Sequence, residues 1–377
     1  MASPIFIHGR RTVFGKAFKG CFKDTRPDDL TVELLCGYRT IAPDLWRQQP
    51  EDLIVGCAYP EGEQGYNVAR TIALGCKLSA PGLTINRLCA SSLEAVVIAA
   101  SRIRAGWGSR YLVAGVESMS RIPRRGANFS ESEVIKQANP IAYSPNGSTA
   151  EKVASQYSEI DREGQESFAA RSHELADAAY ADGKYAKQIH SFGAERDEFI
   201  RVPVNREKMA SLAPAFDENG VVTAATSSPL TDGATAGWVV DMETAKSSNI
   251  ESGLEIVDAA VAHVGPDVMG LGPIPATQMI YQRNNISSAD ISAFEINEAF
   301  AIQVLACMKD LQIPEDKTNC WGGAMALGHP LGASGLRLMM TLHDRLADTG
   351  QPNALGLATL CVGGGQGMSV LCRYVTF

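Results

Sequence analysis

The sequence predicts an α/β protein made of two related halves, and two observations carry that reading. Short β-rich runs alternate with helix-period patterns over residues 1–120 and again over 251–377, the pattern of buried strands flanked by helices. The two stretches also echo one another. Ser91-Ser92-Leu93 opens a helix that reaches Gly106 and a strand YLVAGVES, while Ser334-Gly335-Leu336 opens a helix that reaches Gly350 and a strand ALGLATLCVG. Such self-similarity fits a duplicated fold in which the N-termini of the two helices, with the loops around them, converge on one site.

The elements follow in order. IFIHG, DLIVGCAY, LTINRLC and YLVAGVES read as strands, separated by helices near Asp28–Ile41, Asn67–Cys76 and Ala90–Ala105. From Arg121 to Ser227 the segments PRRG, NPIAYSPNGS and DEFIRVPVNREK interrupt two amphipathic helices near Thr149–Gln156 and Arg162–Asp182, so 121–227 reads as an inserted loop domain. Residues 1–120 with about 228–250 are assigned to the N-terminal half and 251–377 to the C-terminal half. In the latter, LEIVDAAVAHV, ISAFEINEAF, ALGLATLCVG and GMSVLCRYV read as strands. Helices are expected after Gly272-Pro273, over Ala301–Leu311 and from Ser334, and the glycine-rich GGAMALGHPLGASG precedes the last.

Composition bounds the function. With 377 residues, 45% of them apolar, the chain can bury two cores. A net charge of −8 and a pI near 5.4 speak against non-specific nucleic-acid binding, although a local basic cluster remains able to hold an anionic ligand. No apolar run reaches membrane-spanning length. Nine cysteines without paired spacing, and no secretory apolar region after MASPIFIHGRRTVFG, lead us to expect a reducing, cytoplasmic setting with mostly free, buried thiols. The final Arg-Tyr-Val-Thr-Phe is not a peroxisomal signal.

Two of those cysteines stand apart by their setting. Cys89 in INRLCASSLEAV and Cys361 in CVGGGQG each sit at a turn, with Gly328-His329-Pro330 between them in the chain. A thiol that opens an apolar helix gains partial positive charge from the helix N-terminus, which favours thiolate. Such a nucleophile attacks a carbonyl to form a thioester, while a second thiol removes or returns a proton beside a carbonyl. Both steps develop an oxyanion, for which Asn297, His329 and the backbone N–H groups around Gly363 are candidate donors. The Cys and His residues show no CxxC or HxxxH spacing, so no metal site is expected. Each residue also has a plainer reading: a buried cysteine as a small apolar side chain, His329 as a satisfied core histidine, Asn297 as the cap of the following helix.

Taken together the motifs NRLCASS, AGVESMS, STAEKVA, DREGQESFAARSH, APAFDENGVVTAATSSPLTDGA, GLGPIPA, FEINEAFA, GGAMALGHPLGASG and CVGGGQG resemble those of the thiolase family over nearly the whole chain. The resemblance implies a duplicated five-layer α-β-α-β-α fold, each half on a mixed sheet, with a loop domain over the active site. It makes Cys89 the acyl-accepting nucleophile, His329 the residue that activates it and Cys361 the acid/base. Asn297 would order a water that forms one oxyanion hole with His329, and the N–H groups of Cys89 and Gly363 would form the other. Arg201 in DEFIR aligns with the family's adenine-contacting arginine, and Phe216, Ala224 and Ser228 with residues lining the pantetheine channel. Met269 and Phe300 are candidates for the acyl pocket. For these ligand positions surface charge or core packing is the competing reading, as it is for the basic cluster Arg201, Arg206 and Lys208.

The resemblance further implies coenzyme A and acyl-CoA as substrates, no permanently bound cofactor, a homodimer or homotetramer, and in some β-oxidation members a hydratase/dehydrogenase partner subunit. Three positions depart from the common pattern. Pro145-Asn146-Gly147 stands where many thiolases have His-Met-Gly, Ser92 replaces a glycine, and Trp321 replaces an asparagine, where an indole is expected to alter packing or narrow access. TAATSSPLTDGA and FEINEAFAIQVLACMKDL are more like degradative 3-ketoacyl-CoA thiolases than the short-chain enzymes that condense two acetyl-CoA, and the latter stay as the alternative. A cysteine at 361 speaks against a ketosynthase with two histidines, and retention of all four catalytic side chains speaks against a non-catalytic acyl-CoA-binding protein.

Overall fold

Alternate residues of the first strand face different layers, and the rest of the architecture repeats that rule. In the computed structural model, which describes residues 2–248 and 250–377, ten strands form: β1 Pro4–Arg11, β2 Gly15–Lys16, β3 Asp52–Gly56, β4 Gly82–Ile85, β5 Arg110–Ser118, β6 Thr231–Asp241, β7 Ser252–His263, β8 Ile291–Ile296, β9 Leu355–Val362 and β10 Gln366–Thr376. Ile5, Ile7, Leu53, Val55, Leu112 and Ala114 pack outward against the helices Pro27–Tyr38 and Val68–Gly75. Their neighbours Phe6, Ile54, Tyr111 and Val113 face inward onto the helices Ser91–Arg104 and Ser334–Thr349. On the other side Phe294, Leu357 and Leu371 meet the helices Pro273–Asn284 and Ala301–Leu311. Sheets with both faces covered give five layers, α-β-α-β-α.

The strands run in the order β4-β3-β5-β6-β1-β7-β10-β9-β8, with β2 beside β6. In the first half β3 is parallel to β4 and β5, whereas β6 is antiparallel to β5 and β1. In the second, β10 is antiparallel to β7 and β9, and β8 is parallel to β9. Each half is therefore a mixed sheet. The two are joined edge to edge by β1 and β7 through only two residue pairs, Ile5↔Glu255 and Phe6↔Leu254.

The named strands and helices of both halves form, but two strands stop short of the expected runs: β4 ends at Ile85, before residues 86–89, and β8 ends at Ile296, before residues 297–300. A strand that the sequence reading did not distinguish is β6, which occupies the middle of the first half: TDGATAGWVVD has small residues where an apolar run would mark a strand. No strand lies between 121 and 227, where the helices Glu133–Ala138, Asn146–Gln156, Arg162–Ala181 and Arg206–Ala210 are linked by loops.

The two central helices meet at their first turns. A Cβ on Gly335 would stand 2.4 Å from the Leu93 nitrogen, so only glycine permits this approach. Ser92, where a glycine is commoner, is fully buried and accepts a hydrogen bond from the Leu336 N–H at 3.1 Å. That amide belongs to the first turn of its helix and has no partner within it. Ser92→Ala is therefore expected to lower the free energy of unfolding by about 1 kcal/mol in urea titration; an unchanged midpoint would refute the linkage.

Of the two effects expected of Trp321, packing is the one the structure displays. Its indole lies in a separate cluster with Ala176, Ala179, Tyr185, Ala326 and Leu327, edge-on to the Tyr185 ring at 6.0 Å. It shapes the packing of the Arg162–Ala181 helix and is not among the residues that line the cavity described below.

Candidate active site

The residues picked out by the sequence arrive from both halves. Cys89 lies in the 3-10 turn Leu88–Ala90 that feeds the Ser91–Arg104 helix, and it packs with Ala58, Met119 and Leu331. Leu331 is two residues beyond His329, so the Gly-His-Pro turn of the second half seats on the Cys89 turn of the first. Glu117 holds that junction. It is buried, and its carboxylate accepts from the Ala58 N–H at 2.8 Å, the Gln64 Nε2 at 2.8 Å and the Gly332 N–H at 2.9 Å. Burial raises its pKa and those donors oppose the rise.

Cys361 ends β9 and is fully buried with Met269, Ala299 and Phe300. The Gly363 backbone N–H lowers the pKa of Cys89, and a charge on Cys89 would raise that of Cys361. Gly363 has to be small here: a Cβ would meet Leu88 Cδ1 at 2.9 Å. Burial is the larger effect on both thiols. It pushes Cys89 up to about 12 and Cys361 well above its ordinary value. The expectation that the helix N-terminus makes Cys89 a resting thiolate is thus corrected: desolvation outweighs the terminus, and the resting thiol is protonated.

His329 is buried at the turn that precedes the Ser334–Thr349 helix, and its backbone N–H donates to Thr231 Oγ1 at 2.9 Å. Its ring contacts Ser334 Oγ through Nδ1 at 2.6 Å and Asn297 Nδ2 through Nε2 at 3.3 Å. Burial, then the charge of Arg337, lowers its pKa to about 3, so the ring is neutral. Asn297 follows β8 and is fixed in part by its neighbour. Glu298, wholly buried, accepts from Ser172 Oγ, Asn319 Nδ2 and the Met325 N–H at 2.7, 2.8 and 3.1 Å. This ties the Asn-Glu-Ala-Phe turn to the segment leading into Gly328-His329-Pro330.

A cavity of about 580 Å3 opens beside this centre. Arg201, Lys208, His173, Ala224 and Met325 are in its wall, and Arg201 and Ala224 are exposed. Pro229 also lines it, and its carbonyl accepts from the same Thr231 hydroxyl that holds His329. Ser228 is flanked by the lining residues Ser227 and Pro229, and its N–H donates to the Ala299 carbonyl at 2.9 Å. Arg206 stands outside, against Glu174 at 3.4 Å. Neither thiol forms part of the cavity wall.

Phe216 lies elsewhere, over Gly147 and edge-on to Phe300 at 5.8 Å. Met269 and Phe300 pack with Cys361, and Phe216 reaches that cluster through Phe300. Asn146 joins this group, its Oδ1 3.7 Å from where a Cβ on Gly363 would be. The departure at that position therefore puts a carboxamide beside the turn that donates to Cys89. Sequence reading did not single out Thr231, Glu117, Glu298 or Arg337. The last had a signal, as a lone charge inside the apolar run LGASGLRLMM.

Residues 5–243 match the family described as thiolase, N-terminal domain, and residues 251–374 match thiolase, C-terminal domain. The chain is 39% identical to a 3-ketoacyl-CoA thiolase of Shewanella baltica, with all of both chains covered. Proteins of the same name from Shewanella loihica, covering 98% of this chain and 99% of that one, and from Shewanella putrefaciens, covering all of both, are also 39% identical. With both halves matched and relatives aligned from end to end, the chain belongs to the thiolase family of acyltransferases.

Proposed function

We propose that this enzyme is a 3-ketoacyl-CoA thiolase that works in the degradative direction of fatty-acid β-oxidation, through an acyl-cysteine intermediate. The observation that carries the reading is a pair of buried thiols contributed by the two halves, Cys89 packed on Leu331 two residues beyond the buried His329, and Cys361 near the end of β9. Cys89 Sγ attacks the 3-keto carbon as its proton passes to His329 Nε2. The C2–C3 bond breaks, its electron pair goes to C2, and the Cys361 thiol protonates that carbon to release acetyl-CoA. The thiol of coenzyme A then attacks the acyl-Cys89 thioester and gives its proton to the Cys361 thiolate; Cys89 departs as a thiolate that takes back the proton held by His329, and the shortened acyl-CoA leaves. Thiolate and imidazolium arise together, so their attraction offsets part of the desolvation that opposes either charge alone.

The N–H groups of Cys89 and Gly363 serve one oxyanion, and Asn297 with His329 serves the other through a water. Residues 121–227 act as the loop domain that holds coenzyme A. Arg201 and Lys208 give the cavity wall cations for its anionic end, and Ala224 and Ser228 flank its pantetheine arm. Phe216, Met269 and Phe300 border the acyl chain. Coenzyme A is a substrate, and the enzyme needs no resident cofactor. A homodimer is supported by β4, an outer strand of the sheet with half-buried Leu83 and Ile85. Nine free thiols suit a reducing cytoplasm, and no helix among the described residues is long and apolar enough to cross a membrane.

The test is coenzyme A-dependent cleavage of 3-ketoacyl-CoA esters of short, medium and long chain. Efficient cleavage of the longer esters is expected. Activity confined to acetoacetyl-CoA would move the enzyme to the short-chain acetyl-CoA C-acetyltransferases, and binding of acyl-CoA without cleavage of any ester would sink the catalytic reading.

A further inference from the structure

We propose that Arg337 is a positioning residue for the reaction: through Asn297 it fixes the orientation of the catalytic amide and the tautomer of His329. The inference rests on the proposed roles of Cys89 and His329. Arg337 is fully buried in the Ser334–Thr349 helix. Its Nη1 donates to Glu295 Oε2 at 3.1 Å and its Nη2 to Asn297 Oδ1 at 3.4 Å. The other oxygen of Glu295 is taken by Arg345 Nη1 at 2.7 Å.

The direction of every bond in this chain follows from one fact: a guanidinium only donates. The Asn297 atom facing Arg337 is therefore the oxygen, and the amide nitrogen faces His329. That nitrogen donates to His329 Nε2, which must be the unprotonated ring atom. The proton is left on Nδ1, which donates to Ser334 Oγ, and the Ser334 hydroxyl passes its own proton to the Pro330 carbonyl at 2.9 Å. Nε2 thus carries the lone pair, and it exchanges the Asn297 N–H for the thiol proton when it acts as base.

The charge acts in the same sense. Two arginines share the Glu295 carboxylate behind Asn297. Glu298 on the Asn297 turn, Tyr185 beside Glu295 and Arg337, Glu117 at Gly332, and the thiols of Cys89 and Cys361 complete the ionisable surroundings. Of these groups Arg337 is the charge that lowers the pKa of His329. Without it, His329 would protonate at higher pH, and an imidazolium cannot accept the proton of Cys89.

The experiment compares the wild type with Arg337→Met and Arg337→Lys. R337M is expected to lower kcat about ten-fold or more, to leave KM for the acyl-CoA near its wild-type value, and to move the acid limb of the pH profile to higher pH. R337K keeps the charge but not the planar fork; its acid limb should stay in place while kcat falls. A role confined to stability would change the melting temperature and leave both kinetic signatures intact. Because R337M can fail on folding, nitrogen-15 NMR of the histidines in the wild-type protein is the second readout, with the His329 signal assigned by its loss in His329→Asn. A proton on Nδ1 and no titration near pH 6.5 are expected. A proton on Nε2, or a folded R337M with wild-type kcat and acid limb, would overturn the proposal. Wild-type protein without thiolysis would instead overturn the functional reading beneath it.

Discussion

Cys89→Ala is expected to abolish thiolysis, lowering kcat by at least about four orders of magnitude, with no acyl adduct detectable by mass spectrometry of the protein. The companion variant Cys361→Ser separates the two thiols by role. Cleavage of the C2–C3 bond requires a proton for carbon, so C361S should lose it by about 10^2-fold or more. Exchange of an acyl group between an acyl-CoA and labelled coenzyme A involves no carbon–carbon bond. It needs only Cys89 and a base for the incoming thiol, so C361S should retain exchange and still form the adduct. If C361S lost exchange and cleavage together, or if C89A retained cleavage, the assignment of roles would be wrong. Because burial keeps both thiols protonated at rest, alkylation by iodoacetamide near neutral pH should be slow at both positions for the same reason.

Gly335→Val should be severely damaging to the core. Its Cβ would stand 2.4 Å from the Leu93 nitrogen and 2.6 Å from the Leu93 Cβ. The first of these is backbone in the opposing helix and cannot rotate away, so the central helices must separate. A loss of about 3 kcal/mol or more is expected, read as a large fall in the urea midpoint or as insoluble protein. Gly335→Ala carries the same first atom and should fail in the same direction. A wild-type midpoint for either variant would show that the contact yields without strain.

The architecture was legible where local pattern decides it. Runs such as YLVAG have both faces buried, and the helix that follows Cys89 begins at a thiol and ends near Gly106, so alternation sufficed to mark these elements. β6 escaped because its small residues let a neighbouring aromatic ring lie close, as Phe6 does at Gly237, and a strand chosen for close approach carries little apolar signal. The charge state of Cys89 escaped for another reason. Its helix terminus is local, but the desolvation that overrules it comes from Met119, Leu331 and other residues distant in the chain. Arg337 and Asn297 are 40 residues apart, and no spacing rule links them. Trp321 was visible as a departure, yet the side on which its indole lies is set by the Arg162–Ala181 helix.

The seam between the halves gives the enzyme a particular kind of vulnerability. β1 and β7 contribute only two residue pairs across it, and the rest of the joint is the contact of two helix starts and the seating of one turn on another. Cys89, Glu117 and Thr231 stand on one side, and Asn297, His329 and Cys361 on the other. Neither half owns a working centre. Catalysis is in this sense a quaternary property folded into a single chain, and a slight misalignment of two intact halves would silence the enzyme while nearly all of its helices and strands remained in place.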